Sequence, residues 1–459
     1  MTTALDAVLA DLRRRPEDHL RELAQYVAIP SVSAEGIGAP GVRAAAAHIT
    51  ARARAWGLSA SLIETAGHPA VLLQGPEVSA APRVLIYGHY DVQPTGDTAA
   101  WRFPPFQATV HGGRIYGRGT ADNKGQHLAH LLALESWLRL HGTLPCNVTV
   151  LLDGEEEIGS PHLPGLIREQ ASLLACELVL WSDGPVHQSG RATMNFGVRG
   201  IVQFELTARG AAADLHSGNW GGVARNPAWG LVRLLASMRD GDGTITIDGI
   251  TDRVRPVSAA ERRALDALPV DAAELSALGI TRWDPPDGRP FHDRLAAHPS
   301  FSINRLVTGP GHADGPARTV IPAMARAVCD LRLVDAMTTD ETFGLVAAHV
   351  QRHAPEVECR LLAAMEPSRT DPGSPFTEPV RHALRLIHHQ DPYLVPAIGG
   401  SLPDYVFTKI LGVPSIGVPF ANADEANHAP NENLELDRFL TAPQVAAALL
   451  AGLSAMPRP

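Results

Sequence analysis

The chain alternates short, uniformly apolar runs with longer stretches in which leucines recur on one helical face. Arg83 to Tyr90 (RVLIYGHY), Asn147 to Asp153 and Glu177 to Asp183 (ELVLWSD) are of strand length and largely apolar, the pattern of strands buried on both faces of a sheet. Between the first two, Lys124 to about His141 carries Leu128, Leu131, Leu132, Leu134 and Leu138 and reads as a helix. Pro16 to Val27 opens with a proline, places Leu20, Leu23, Ala24 and Val27 along one face and stops before Pro30, which predicts a packing helix. Strands and helices in this alternation predict an α/β fold, with a mostly parallel sheet sandwiched by helices.

After Asp183 the pattern changes. Ile201 to Thr207 (IVQFELT) alternates Val202, Phe204 and Leu206 with polar residues, as a strand with one wet face does in an antiparallel sheet. Pro227 to Arg239 and Glu341 to Ala354 read as helices, Arg326 to Val334 and Glu356 to Leu362 as strands, with a charged, proline-containing excursion from about Arg239 to Pro299. The first style returns near Pro375: an amphipathic helix, a strand Tyr393 to Ile398, the turn Gly399-Gly400-Ser401, another helix and the strand Pro414 to Pro419. These shifts predict a first unit made of residues 1–190 and 371–459, with a separate α+β unit, 191–370, inserted into it. A length of 459 residues agrees, since a single core of that size is unusual.

Charge narrows the partners. With 39 Lys plus Arg against 49 Asp plus Glu, a net charge of −10 argues against nucleic acid. The four cysteines, Cys146, Cys176, Cys329 and Cys359, are widely spaced without a CxxC pair, so free thiols in a reducing compartment are expected. The amino terminus has basic residues but no apolar h-region, and no apolar run reaches membrane-spanning length, which places the protein in the cytoplasm with no membrane partner.

The polar ends of the apolar runs carry the chemistry. Arg83 to Tyr90 runs into His89-Tyr90-Asp91, and period two puts His89 and Asp91 on one face. The turn Gly117 to Gln126 (GRGTADNKGQ) has neither Walker nor GxGxxG spacing and instead aims Asp122. Leu151 to Ser160 (LLDGEEEIGS) drives a strand into three successive glutamates, and like charges so close call for a cation among them. Asp183 ends another run, and His428 lies in the loop Ala426 to Asn433. In such sheets the ligand site lies beyond the carboxyl ends of the strands. His, Asp and Glu without cysteine suit Zn²⁺ in a catalytic role, or Mn²⁺ or Co²⁺. Five such residues exceed one open tetrahedral site, whereas two ions sharing a bridging carboxylate and a water use them all. Of two adjacent glutamates, one then binds metal and the other moves the proton from that water to the leaving amine of an amide.

GHYDVQP, GRGTADNKG, DGEEEIGS, WSD, DLHSGNWGG and HAPNEN, in this order between about residues 85 and 433, together resemble the family of co-catalytic dizinc peptidases and deacylases. That family includes carnosine dipeptidase, cytosolic nonspecific dipeptidase, glutamate carboxypeptidase, acetylornithine deacetylase and succinyl-diaminopimelate desuccinylase; the dipeptidase branch is the nearest look-alike. The resemblance implies that His89, Asp122, Glu157, Asp183 and His428 bind two zinc ions with Asp122 bridging, that Glu156 is the general base, and that Asp91 orients the His89 ring. Glu155 stands outside that frame as an extra carboxylate. The resemblance further implies a cis Asp122-Asn123 peptide and a ferredoxin-like inserted lid through which two chains form a homodimer. In that dimer His216 reaches the partner's site and donates to the oxyanion. Arg332 resembles the clamp on the substrate carboxylate, with Ser401 and Gly400 of the glycine turn beside it, and Asp404 is a candidate contact for a free substrate amine. The expected activity is hydrolysis of dipeptides or short peptides with a free carboxylate, with N-acyl-amino-acid deacylation as the alternative. Lid closure is expected, with hinges near Gln188 to Arg191 and Ser368 to Gly373.

Overall fold

The computed structural model describes residues 2–284, 288–309 and 318–456. Residues 1, 285–287, 310–317 and 457–459, which fall in the expected amino-terminal segment, excursion, inserted unit and closing segment, lie outside the described residues. The first unit is built on strands β1 (Ser59–Ile63), β2 (Ala70–Gln74), β3 (Arg83–His89), β4 (Asn147–Asp153), β5 (Leu178–Trp181) and β6 (Thr193–Asn195). The inserted unit follows with β7 (Gly200–Arg209), β8 (Ser300–Thr308), β9 (Met324–Leu333) and β10 (Glu358–Met365); β11 (Tyr393–Val395) and β12 (Ser415–Gly417) then rejoin the first sheet.

The large sheet has the order β1-β2-β4-β3-β5-β12-β6-β11. Its centre, β4-β3-β5-β12, is parallel, while β1, β2 and the β12-β6 contact are antiparallel. Both faces are covered. Val84 and Ile86 of β3 join Val148, Val150 and Leu152 of β4 against the helices Lys124–His141 and Leu436–Leu453. Leu85 and Tyr87 join Leu151, Val179 and Trp181 against Leu163–Glu169 and the short wide helix Val406–Leu411. Burial on both faces is why these strands read as unbroken apolar runs.

The inserted unit is a four-stranded antiparallel sheet, order β8-β9-β7-β10. With the helices Pro227–Met238 after β7 and Thr339–His353 after β9, this is the β-α-β-β-α-β arrangement of ferredoxin-like folds. Val202, Phe204 and Leu206 face a separate core with Leu231, Leu234 and Val346.

One expectation shifts. The first boundary and hinge, set near residue 190, precede β6, which still pairs with β11 and β12 of the large sheet. The crossing comes later, where Gly197–Val198 pairs with Ser368–Arg369. The excursion, whose role the sequence leaves open, has helices among its described residues. It folds into the short helices Ala259–Asp266, Ala272–Ala277 and Phe291–Ala296, the first opened by a Ser258/Glu261 capping box, and buries Leu265 and Ala296 against Ala397 of the first unit.

Candidate metal centre

The residues singled out by sequence converge at the carboxyl ends of the parallel strands. His89 is the last residue of β3, Asp183 lies two residues beyond β5, and Asp122 lies two residues before the first residue of the helix Lys124–His141. Gly88 permits this packing: a Cβ there would stand 2.7 Å from His127 Cβ. The Asp122-Asn123 peptide is cis.

Two groups of potential ligands form, His89, Asp122 and Asp183 on one side and Asp122, Glu157 and His428 on the other. Asp122 belongs to both. His89 Nε2 lies 3.0 Å from Asp122 Oδ1 and 3.6 Å from Asp183 Oδ2; His428 Nε2 lies 3.1 Å from Asp122 Oδ2 and 3.1 Å from Glu157 Oε2. The first group is largely buried, whereas the His428 side chain is 56% exposed and opens the second to solvent. Residues Ala426, His428 and Asn431 all have left-handed backbones, with φ of 55°, 56° and 67°, each at a cost of about 1–3 kcal/mol that the surrounding packing must offset.

Asp91 ties the two halves of the chemistry together. Fully buried, it accepts the backbone N–H of Glu156 at 3.2 Å and of Glu157 at 3.1 Å, and its Oδ1 stands 3.3 Å from His89 Nδ1. Asp91 thus holds the ring through its backbone O, 3.1 Å from His89 Nδ1, with the carboxylate beside it, and holds the turn Glu156–Ile158 through the carboxylate. Gln93 adds a bond from Nε2 to Glu157 Oε2 at 2.9 Å. Glu155 faces the other way, accepting from His68 N at 3.0 Å and pairing with His162 Nδ1 at 2.8 Å, which leaves Glu156 and Glu157 to the cleft.

The electrostatics call for a cation. Burial, with Asp183, Glu157 and Asp122 adding to it against the pull of His89, holds the Glu156 carboxyl well above the usual range. Glu425, buried and with Oε2 lacking a hydrogen-bond partner, is pushed to about 9 by burial, then by Asp122 and Asp183. Asp122 and then Glu157 raise His428 to about 10, while His428 and His89 outweigh burial at Asp122 and hold it below its ordinary value. His89 Nε2 is buried without a hydrogen bond of good geometry despite its close carboxylates. A buried imidazole nitrogen aimed at carboxylate oxygens, with its other nitrogen held by Asp91, fits a metal ligand set of nitrogen and oxygen donors.

Not every expected residue joins. Arg332 Nη1 on β9 donates to Ser401 Oγ at 3.0 Å, and Gly400 O accepts from Arg199 N at 3.2 Å, so the expected carboxylate clamp spans both units. His216 is exposed on the inserted unit, and its Nδ1 accepts from Gly218 N at 3.1 Å within its own turn; within one chain it does not join either ligand group. Asp404 is corrected outright: it is 1% exposed and accepts from Ser368 Oγ at 2.5 Å and from Ser415 Oγ. A carboxyl sealed between two hydroxyls is an interior group rather than a contact for a substrate amine. Sequence reasoning missed Glu425, Glu432 and Gln126, all buried beside the ligands. Two of them lie inside the motifs HAPNEN and GRGTADNKGQ, and a polar residue next to a ligand has no periodicity to distinguish it from a turn residue.

All four cysteines are free, and no helix among the described residues is long and apolar enough to cross a membrane. Comparison with known proteins agrees with this architecture. Over 96% of both chains, the protein is 28% identical to the Cys-Gly metallodipeptidase dug1 of Schizosaccharomyces pombe. It is 27% identical to the Beta-Ala-His dipeptidase of Rattus norvegicus, over 84% of this chain and 80% of the relative. The M20 family metallo-carboxypeptidase Sso-CP2 from Sulfolobus solfataricus superposes with a TM-score of 0.86 at 28% identity, covering 95% of this chain and 99% of the other. The profile of peptidase family M20/M25/M40 matches residues 85–452, and the chain belongs to that family.

Proposed function

We propose that the protein is a two-metal dipeptidase that hydrolyses the amide bond of dipeptides or short peptides bearing a free carboxylate. The observation that carries this reading is the sharing of Asp122 by two ligand groups, a geometry suited to paired ions a few ångströms apart. The names of the metallodipeptidase relatives support the substrate class. Zinc is the ion best matched to the donors, with manganese or cobalt as substitutes. Bound there, the ions would supply Lewis acidity to the substrate carbonyl and to the attacking water.

The chain's own side chains do the rest. Glu156 accepts the water's proton and passes it to the leaving amine, a task suited to a carboxyl whose affinity for protons burial has raised. Arg332, Ser401 and Gly400 hold the substrate carboxylate and so set where the scissile bond lies. His216 serves the partner subunit's site in a homodimer, donating to the oxyanion. Trp220, Val223, Trp229 and Val232, exposed by 47%, 76%, 63% and 44% on the inserted unit, give that unit an apolar face for the dimer contact.

The test is a matched panel with added zinc or manganese: free dipeptides, tripeptides, and the same dipeptides blocked by N-acyl groups. Metal-dependent cleavage of the free dipeptides, lost with chelator and with Glu156→Gln, is expected. Because Asp404 is interior and does not contact a substrate amine, the blocked members are an informative arm. Turnover of those alone would overturn the dipeptidase reading in favour of a deacylase.

A further inference from the structure

Two buried side chains outside both ligand groups touch the backbone on which the ligands stand. Gln126 is fully buried. Its Nε2 donates to Ala121 O at 2.8 Å and to Gly184 O at 3.2 Å, and its Oε1 accepts from Phe420 N at 2.7 Å and Ala421 N at 3.3 Å. A primary amide has two N–H donors and two acceptor lone pairs, and all four are used. Ala121 precedes Asp122, Gly184 follows Asp183, and Phe420-Ala421 leads into the segment that carries His428. One side chain therefore joins the backbones of three separate ligand-bearing loops.

Glu432 makes a second junction. It is also fully buried, and its Oε1 accepts the N–H of Gly119, Ala121 and Asp122, each at 3.0 Å. Its Oε2 accepts from Arg118 Nη1 at 2.7 Å, and that guanidinium is itself buried, 5.3 Å from the centre of the Trp101 ring. Backbone amides converging in this way form an anion-binding nest, here filled by the chain's own carboxylate. Glu432 lies four residues after His428 and grips the N–H of Asp122, the residue common to both ligand groups.

We propose that Gln126 and Glu432 are positioning residues of the metal centre, holding the loops of Asp122, Asp183 and His428 in the one arrangement in which both ligand groups exist. The inference rests on the two-metal reading above. Because Asp122 serves both groups, a displacement of its loop is felt by both ions. Gln126 acts from the carbonyl and amide groups flanking the ligands, and Glu432 from the amide of Asp122 itself, so their effects reach the substrate only through the metals.

The variants are Gln126→Met, which keeps the volume and removes all four bonds, and Glu432→Gln, which turns one acceptor into a donor facing either the amides or Arg118. Chelator-stripped protein is titrated with Co²⁺, read by its visible absorption, and with Zn²⁺ by equilibrium dialysis; the stripped forms are compared by circular dichroism and melting. The parent is expected to take two ions per chain. Each variant is expected to fold like the parent when stripped, to bind at least one ion about 10- to 100-fold more weakly, and to show an altered cobalt band. Excess metal is expected to restore kcat with KM for the peptide unchanged. Parent-like affinity and spectrum in both variants would overturn the inference alone, as would stripped variants that fail to fold, which would assign these side chains to the fold as a whole. A parent that binds no ions would overturn the two-metal reading and this inference with it.

Discussion

Asp91→Asn keeps the shape of the side chain and changes one oxygen into an N–H donor. In the parent, both carboxylate oxygens accept a backbone N–H, from Glu156 at 3.2 Å and Glu157 at 3.1 Å, and Oδ1 also stands 3.3 Å from His89 Nδ1. Whichever way the amide turns, a donor meets a donor in a site closed to water. The loss of one buried hydrogen bond to a charged group is about 1.5–3 kcal/mol. If that falls on the reacting arrangement of Glu156, kcat/KM drops about 10- to 100-fold, at about 1.4 kcal/mol per decade. His89 Nδ1 keeps the Asp91 backbone O at 3.1 Å and loses only the carboxylate beside it, so the added weakening of metal binding is expected at the low end of about 10- to 100-fold. Kinetics on a good dipeptide at low and at saturating zinc separate the two: the part that zinc restores belongs to His89, the part it leaves to the Glu156 turn. A variant within twofold of the parent at both zinc concentrations would refute the reasoning.

Three further outcomes are expected. His216→Asn lowers kcat by about 10²- to 10³-fold without changing metal content, and mixing it with Glu156→Gln chains restores about a quarter of the parent sites if subunits exchange freely and the histidine acts across a twofold dimer; no restoration after confirmed exchange would place His216 outside the partner's site. Trp229→Glu, which charges an exposed position on the helix Pro227–Met238, shifts the chain toward monomer in light scattering, with activity falling in parallel. At Glu261 burial raises the carboxyl, but Arg255, the Ser258 N–H and Arg369 outweigh it and hold the group at about 2. Its contribution is therefore present above about pH 4.5 and lost as pH falls toward 2, so in chelator the melting-temperature gap between parent and Glu261→Gln narrows across that window.

How much of this was legible depended on burial. β3 and β4 are covered on both faces, and the helix Lys124–His141 is buried along most of its length; their runs stood out and their ends came within a residue or two. β8 (SFSINRLVT) was passed over because it is an edge strand with most side chains in solvent, and without a buried face a strand leaves no alternation. The helix Leu436–Leu453 carries Pro443 in its interior, a residue that argues against a helix in a one-dimensional reading. In the candidate site, His89 and Asp183 were visible as a histidine and an acid at strand ends, and Asp122 as the one carboxylate of a glycine-rich turn. Asp404 was misplaced because its two serine partners lie 36 and 11 positions away. The burial of Glu425 is likewise a product of tertiary packing that no local spacing encodes.

The two ligand groups also differ in when they can exist. His89, Asp122 and Asp183 all precede the inserted unit, whereas His428 follows it. During synthesis, some 245 residues separate Asp183 from His428, which at about 5–20 residues per second is on the order of tens of seconds. Over that interval a nascent chain carries the three residues of the first group but lacks His428 of the second, and lacks Glu432, which accepts the Asp122 N–H. On the two-metal reading proposed above, an interrupted translation product that stops short of His428 lacks the second ligand group.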